Sequence, residues 1–368
     1  MTNEVYKHYG YEFSLYSGKT RAYLRYKDIP FEEITTTRQM RREVLSPRTN
    51  IDLVPVIVSP DDVVVQDTTE IIDFLEARFP VPSIYPDTPR QRLVALLLEL
   101  YGDEFLFFPA MYYRWYFKDE NFELLGNEFG ANHEPDASEE VRYQIWEKVA
   151  NHRKDVVLPR LGITQRTHKP IERWYEMFLD HLNGHFMQYP FLLGSRPSVS
   201  DFGFMGPLYA HLGRDPYPKK LMQDRAPEVY RWVVRMNNPE PKSGSFLPGD
   251  AVPETLYPIL RHQFEEHGPL LMDIASHVEA WVREHPGEPI PPRFGEHHFS
   301  LGGVKETRVV QAYSLWMLQR ALDFYQSLSS SERRTVDPML ERLGGMELME
   351  FQIPQRISRK DNQLLAEG

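Results

Sequence analysis

Hydrophobic positions change their period near residue 90, and the change divides the chain. Before it the apolar runs are short and β-branched. Val54-Pro55 opens the run Val56-Ile57-Val58, Pro60-Asp61-Asp62 turns the chain, and Val63-Val64-Val65 returns it. This pattern predicts a hairpin. Gln66-Asp67-Thr68-Thr69 then leads into Ile71, Ile72, Phe74 and Leu75, apolar at helical spacing, and Arg78-Phe79-Pro80 ends that helix. Upstream, Tyr11-Glu12-Phe13 reads as a strand end, Ser14 as an N-cap, and Asp28-Ile29-Pro30 as the close of a helix. Residues 5–80 thus read as α/β.

Pro82, Pro86 and Pro89 mark a linker over 81–89. From Arg90 the period is helical. Leu93, Leu96, Leu97, Leu100, Tyr101 and Phe105 share a face, and an aromatic stretch from Phe105 to Phe117 follows. A polar loop is expected near 127–138, a helix over 139–158, and another from about Pro170 carrying Ile171, Trp174, Phe178 and Leu182. Ser198 and Asp201 have the spacing of a capping box before Phe202, Phe204, Met205 and Leu208. Pro239, Pro241, Pro248 and Pro253 form an irregular connector. Beyond it a helix is expected over 254–284, a small hairpin within Phe294–Val304, a helix over Val309–Leu328, and a cap at Ser330 or Ser331. The expected division is 1–82 (α/β), 90–238 (all-helical) and 239–368 (an extension packed on the helical domain).

The 368 residues suffice for two or three domains. A net charge of −11 with dispersed acids argues against nucleic acid and anionic membrane surfaces as partners. No run of eighteen apolar residues exists, so no membrane span is expected. The opening Met1-Thr2-Asn3-Glu4-Val5-Tyr6 has neither basic flank nor apolar core, so no signal peptide is read there and a cytoplasmic location is expected. Aromatics at 13 % suggest an apolar cleft. Cysteine is absent, which excludes disulfides, zinc–thiolate sites and a cysteine nucleophile. Any sulfur chemistry must come from a bound thiol.

Four features in this order, Ser14-x-x-Ser17-x-Lys19-x-Arg21, Val54-Pro55, Asp67-Thr68 and Ser198-x-x-Asp201, resemble the soluble glutathione transferases of the serine type over about residues 5–240. The resemblance implies a thioredoxin-like N-terminal domain, an all-helical second domain and a homodimer. It implies glutathione as cosubstrate and a small hydrophobic electrophile as its partner. Related activities include glutathione-dependent reductive cleavage and isomerisation, and a non-catalytic scaffold that kept the fold is the alternative from another class.

The resemblance makes Ser14 the catalytic candidate. A hydroxyl at a helix N-terminus donates to a thiolate while the dipole favours negative charge. A free thiol is only about 3 % ionised at pH 7. A charge-assisted hydrogen bond of about 1.5–3 kcal/mol lowers its pKa by about one to two units. Ser17, Tyr16, Tyr9 and Tyr11 are rivals. Val54 would offer its backbone to the cysteinyl amide, and Asp67 and Thr68 would hold the γ-glutamyl end. Tyr112, Tyr113 and Tyr116 are the candidates for an electrophile pocket. Arg38, Arg41 and Arg42 form a basic stretch with two readings, a contact for the glycine carboxylate of glutathione or, the favoured one, a solvated face. His181 and His185, and the adjacent His297 and His298, lack the surrounding ligands of a metal site, so no metal is expected.

Overall fold

The end of a small sheet organises the N-terminal domain. In the computed structural model, which describes residues 5–368, four strands form one sheet. They are β1 (Tyr6–Gly10), β2 (Phe31–Thr35), β3 (Val56–Val58) and β4 (Val64–Gln66), in the order β2-β1-β3-β4. The signal-peptide reading rests in part on residues 1–4, which lie outside those described. β1 and β2 run parallel, while β3 is antiparallel to both β1 and β4. Helices α1 (Leu15–Tyr26) and α2 (Thr68–Arg78) pack together, with Ala22, Tyr23, Leu24, Ile71, Ile72 and Leu75 fully buried. This is a thioredoxin-like domain. The strand expected to end at Phe13 stops at Gly10. There the chain turns, and the Ser14 N–H donates to the Tyr11 carbonyl at 3.2 Å.

The second domain is helical: α3 (Pro89–Leu100), α4 (Phe107–Tyr116), α5 (Phe122–His133), α6 (Glu139–His152), α7 (Gln165–Phe186), α8 (Val199–Ala210), α9 (Pro216–Arg225) and α10 (Pro227–Asn237). The helix of α3 runs on through a wider turn at Tyr101–Phe105. α8 is buried on nearly every side and packs on α1, α3 and α10. Its N-terminus carries the expected capping box. Asp201 accepts from the Ser198 N–H, and its other oxygen accepts from the Leu192 N–H and the Trp232 indole. The loop expected at 127–138 is instead mostly the C-terminal half of α5. Packing against α6 overrides the weak propensities of Gly126, Asn127, Gly130 and Asn132.

The remaining chain forms α11 (Tyr257–His262), α12 (Gly268–Glu284), the hairpin β5 (Arg293–Leu301) and β6 (Val304–Gln311), α13 (Tyr313–Ser327), α14 (Ser330–Leu343), and a second hairpin, β7 (Ile357–Lys360) and β8 (Gln363–Ala366). The residues Val309–Gln311, expected in a helix, close β6, and the helix starts only at Tyr313. Their β-branched valines suit a strand. The cap of α14 is Ser329, not Ser330 or Ser331. α13 and α14 pack on α3, and Arg320 reaches Asp73 of α2 at 2.6 Å. This segment and both domains share one hydrophobic core. Among the described residues no helix is long and apolar enough to cross a membrane.

Candidate active site at the sheet end

Register brings the predicted residues to one place. Tyr9 of β1 faces Val56 of β3, and Val56 faces Gln66 of β4. The chain leaves β1 toward Ser14, enters β3 from Val54 and leaves β4 into Asp67. All three therefore lie at the same end of the sheet, where α1 and α2 both begin. The Val54–Pro55 peptide is cis.

Each position leaves a polar group free. Ser14 caps α1 by accepting from the Ser17 N–H at 3.3 Å. A hydroxyl that accepts in this way keeps its proton to donate. Asp67 caps α2 with one oxygen, Oδ1, which accepts from Thr69 N–H at 2.9 Å and Glu70 N–H at 3.3 Å. The Ile71 N–H bonds the Asp67 carbonyl. Among the orphan donors at the start of this helix Thr68 N–H is left, and so is the second Asp67 oxygen, Oδ2. Neither has a hydrogen-bond partner among the described residues, nor do the N–H and C=O of Val54. Asp67 also sits at φ +88°, a backbone region that costs a non-glycine residue about 1–3 kcal/mol.

Buried charges hold this end in place. The Arg114 guanidinium of α4 bonds Asp215 twice at 2.7 Å, the Ala210 carbonyl at 2.6 Å and the Phe13 carbonyl at 2.7 Å. It thereby ties the residue before Ser14 to the helical domain. Lys19 of α1 lies between Glu99 at 2.8 Å and Asp103 at 2.6 Å. Burial works to discharge this ammonium, but the two carboxylates outweigh it and raise its pKa. Burial likewise pushes the Asp103 carboxyl up, with Lys19 opposing and Glu99 assisting.

The rivals to Ser14 separate. Ser17 is fully buried behind the sheet end, and a Cβ on Gly10 would come within 2.6 Å of its hydroxyl. Tyr16 is half-buried. Burial first, then the charges of Glu104 and Asp103, raises its phenol well above the ordinary range, so it stays a proton donor. Tyr11 stacks on Phe13 at 4.3 Å, and the Arg41 guanidinium lies 5.7 Å from its ring.

Tyr112, Tyr113 and Tyr116 do not line this end. Tyr112 and Tyr116 lie on the side of α4 opposite Arg114, the residue that reaches Phe13. The Tyr112 hydroxyl donates to Glu172 of α7 at 2.7 Å, and Tyr113 packs on Tyr175 and Tyr217. Tyr112 and Tyr113 are core, and the partly exposed Tyr116 packs on Tyr112 and His168. Helical spacing showed which residues share a face without showing what the face meets. From the turn before Ser14, Tyr11 and Phe13 continue into an aromatic chain with Phe129 and Trp115. The C-terminal segment completes the surroundings. Arg359 of β7 bonds Gln66 Oε1 at 2.6 Å and pairs with Glu70, Asn362 donates to the Thr49 carbonyl at 2.7 Å, and Ser314 donates to Glu104. No sequence signal pointed to this hairpin.

A separate recess of about 670 Å³ lies between Leu24, Arg25, Asp28 and the Asn238–Pro241 turn. It opens at the other end of α1, beside Asp28 and Ile29.

Residues 9–83 match the family model for the N-terminal domain of glutathione S-transferases. That match is to the N-terminal domain, about a fifth of the chain. Solved structures resemble it at low identity. One is a glutathione S-transferase from Rhodospirillum rubrum F11, 15 % identical, covering 68 % of this chain and 97 % of that one at a TM-score of 0.43. Another is a beta-etherase, LigF, from Sphingobium sp. strain SYK-6, at 19 %, 64 % and 96 %, with a TM-score of 0.46. A third, from Methylobacterium radiotolerans JCM 2831 in complex with glutathione sulfonate, stands at 19 %, 66 % and 98 %, with a TM-score of 0.38. The comparison with curated proteins gave no match.

Proposed function

We propose that the protein binds glutathione at this sheet end and transfers its sulfur to an electrophilic small molecule. The observation that carries the reading is the set of unpaired groups there. The γ-glutamyl end offers an ammonium and a carboxylate, and Asp67 Oδ2 and Thr68 N–H are free to take them. The cysteinyl amide offers a donor and an acceptor, and Val54 has both counterparts unpaired. A peptide so held points its sulfur toward the start of α1. There the Ser14 hydroxyl donates to the thiolate and the helix dipole favours the charge. The thiolate then attacks the electrophile, forming the carbon–sulfur bond as the leaving group departs or the acceptor takes a proton. Tyr11, Phe13 and Tyr16 supply apolar contact for that second substrate.

Reductive cleavage by the same thiolate would use the same cradle and differ only in product. With no cysteine in the chain, it needs a second thiol to release glutathione. The α2–α3 face is covered by the chain's own C-terminal segment, so the implied homodimer would have to form elsewhere.

Calorimetric titration of glutathione into the full chain tests the assignment. The expected result is one site, weakened at least about tenfold by Asp67→Asn, since a charged hydrogen bond is worth about 1.5–3 kcal/mol. Equal affinity in the folded variant would remove Asp67 from the site.

A further inference from the structure

On the C-terminal segment three side chains converge that the glutathione site does not use. Asp273 and His277 stand one helical turn apart on α12, and His297 projects from β5 against them. One donor atom from each lies within 4.8 Å of the others. His297 Nδ1 is 2.7 Å from Asp273 Oδ2, and His277 Nδ1 is 3.4 Å from the same oxygen. The two imidazoles meet edge to face, with centroids 5.5 Å apart. The His297 side chain is fully buried.

We propose that Asp273, His277 and His297 form a binding site for a divalent transition-metal ion of the Zn²⁺ class, which pins the β5–β6 hairpin to α12. Two imidazoles and one carboxylate suit Zn²⁺, Co²⁺ or Fe²⁺, not the all-oxygen ions Ca²⁺ and Mg²⁺. A tetrahedral ion with bonds of about 2.0–2.1 Å needs donors about 3.3–3.4 Å apart. The Asp273–His277 pair already stands at that spacing. The Asp273–His297 pair must open by about 0.6 Å, and the histidines must draw together by no more than about 1.5 Å. Asp273 and His277 are partly exposed, so their side chains can make that adjustment without moving the backbone. His277 Nδ1 also lies 3.0 Å from the Asp273 carbonyl, a contact that the ion would displace or that His277 would keep by ligating through Nε2. Three protein ligands leave a coordination position open toward solvent. The site is hidden in the sequence because its third ligand lies 20 residues beyond the second.

The test uses the metal-free full chain. Zn²⁺ is titrated calorimetrically, and Co²⁺ is followed by its visible absorption. The expected result is one equivalent at micromolar affinity, with a Co²⁺ spectrum of low coordination number. Asp273→Asn combined with His277→Gln changes only partly exposed side chains and should weaken that equivalent at least about tenfold. His297→Ala should do the same. Absence of a one-to-one site in the wild type would overturn the proposal. So would an unchanged affinity and spectrum in the folded double variant.

Discussion

Arg114 shows what a single residue does at this site. It is buried with Asp215 and spends its remaining donors on two backbone carbonyls, one of them that of Phe13. A buried pair of this kind adds little net stability, but losing one partner strands a charge. Arg114→Met should destabilise the fold by about 3–5 kcal/mol, read from urea unfolding, because Asp215 is left buried and alone. A change below about 1 kcal/mol would mean that Asp215 finds water or another partner. At this scale the sequence was partly legible. Ser14 and Asp67 were readable as caps, since short polar side chains before apolar runs do little else as well. The positive φ of Asp67 was not readable, nor was the division of labour between its two oxygens. Both depend on how β4 delivers the chain to α2. The burial of Tyr112 and Tyr113 among helical-domain side chains was not readable for a related cause, because an aromatic stripe does not name its neighbour.

Among elements, α8 and the turn that follows α3 approach backbone to backbone. A Cβ on Gly102 would lie 2.6 Å from the Gly203 backbone, and one on Gly203 would lie 2.9 Å from the Glu99 Cα. Two glycines thus let these helices touch backbone to backbone, and Glu99 and Asp103 thereby come within reach of Lys19. Gly203→Ala should force them apart at a cost of about 1–3 kcal/mol and disturb the Lys19 trio. Chemical denaturation measures the first effect, and a wild-type unfolding midpoint would show that the helices slide without cost. Elements were most legible where period and punctuation agreed. The hairpin after Val54, the helix after Asp67 and the box at Ser198 are of this kind. α5 was missed because its glycines read as a loop. A Cβ on Gly130 would lie 2.4 Å from the Arg142 Cβ, so the glycine permits the approach of α6 that stabilises the helix. The β7–β8 hairpin was missed because its short, mixed sequence is held by Arg359 and Asn362 against distant residues.

For the whole molecule, buried neutral histidines weaken the fold in acid, and buried carboxyls held protonated, Asp103 at about 8 and Asp201 at about 6, oppose them in part. Burial holds His185 and His262 at about 4 and His267 at about 3, against 6.5 in the unfolded chain. Below pH 6.5 the unfolded chain takes up protons that the folded chain refuses. Stability is therefore present above that pH and lost as the pH falls toward 4. Each such group contributes a slope of up to about 1.4 kcal/mol per pH unit. The urea midpoint should fall clearly between pH 7 and pH 5, and a flat profile would mean that these rings charge in place.

The account of function turns on whether Ser14 ionises the thiol of bound glutathione. The ultraviolet absorbance of that thiolate, followed against pH in wild type and Ser14→Ala, measures this directly. The account predicts an apparent pKa about one to two units below that of free glutathione in the wild type, rising toward the free value in the variant. An equal pKa in both proteins would contradict it and turn attention to Tyr16.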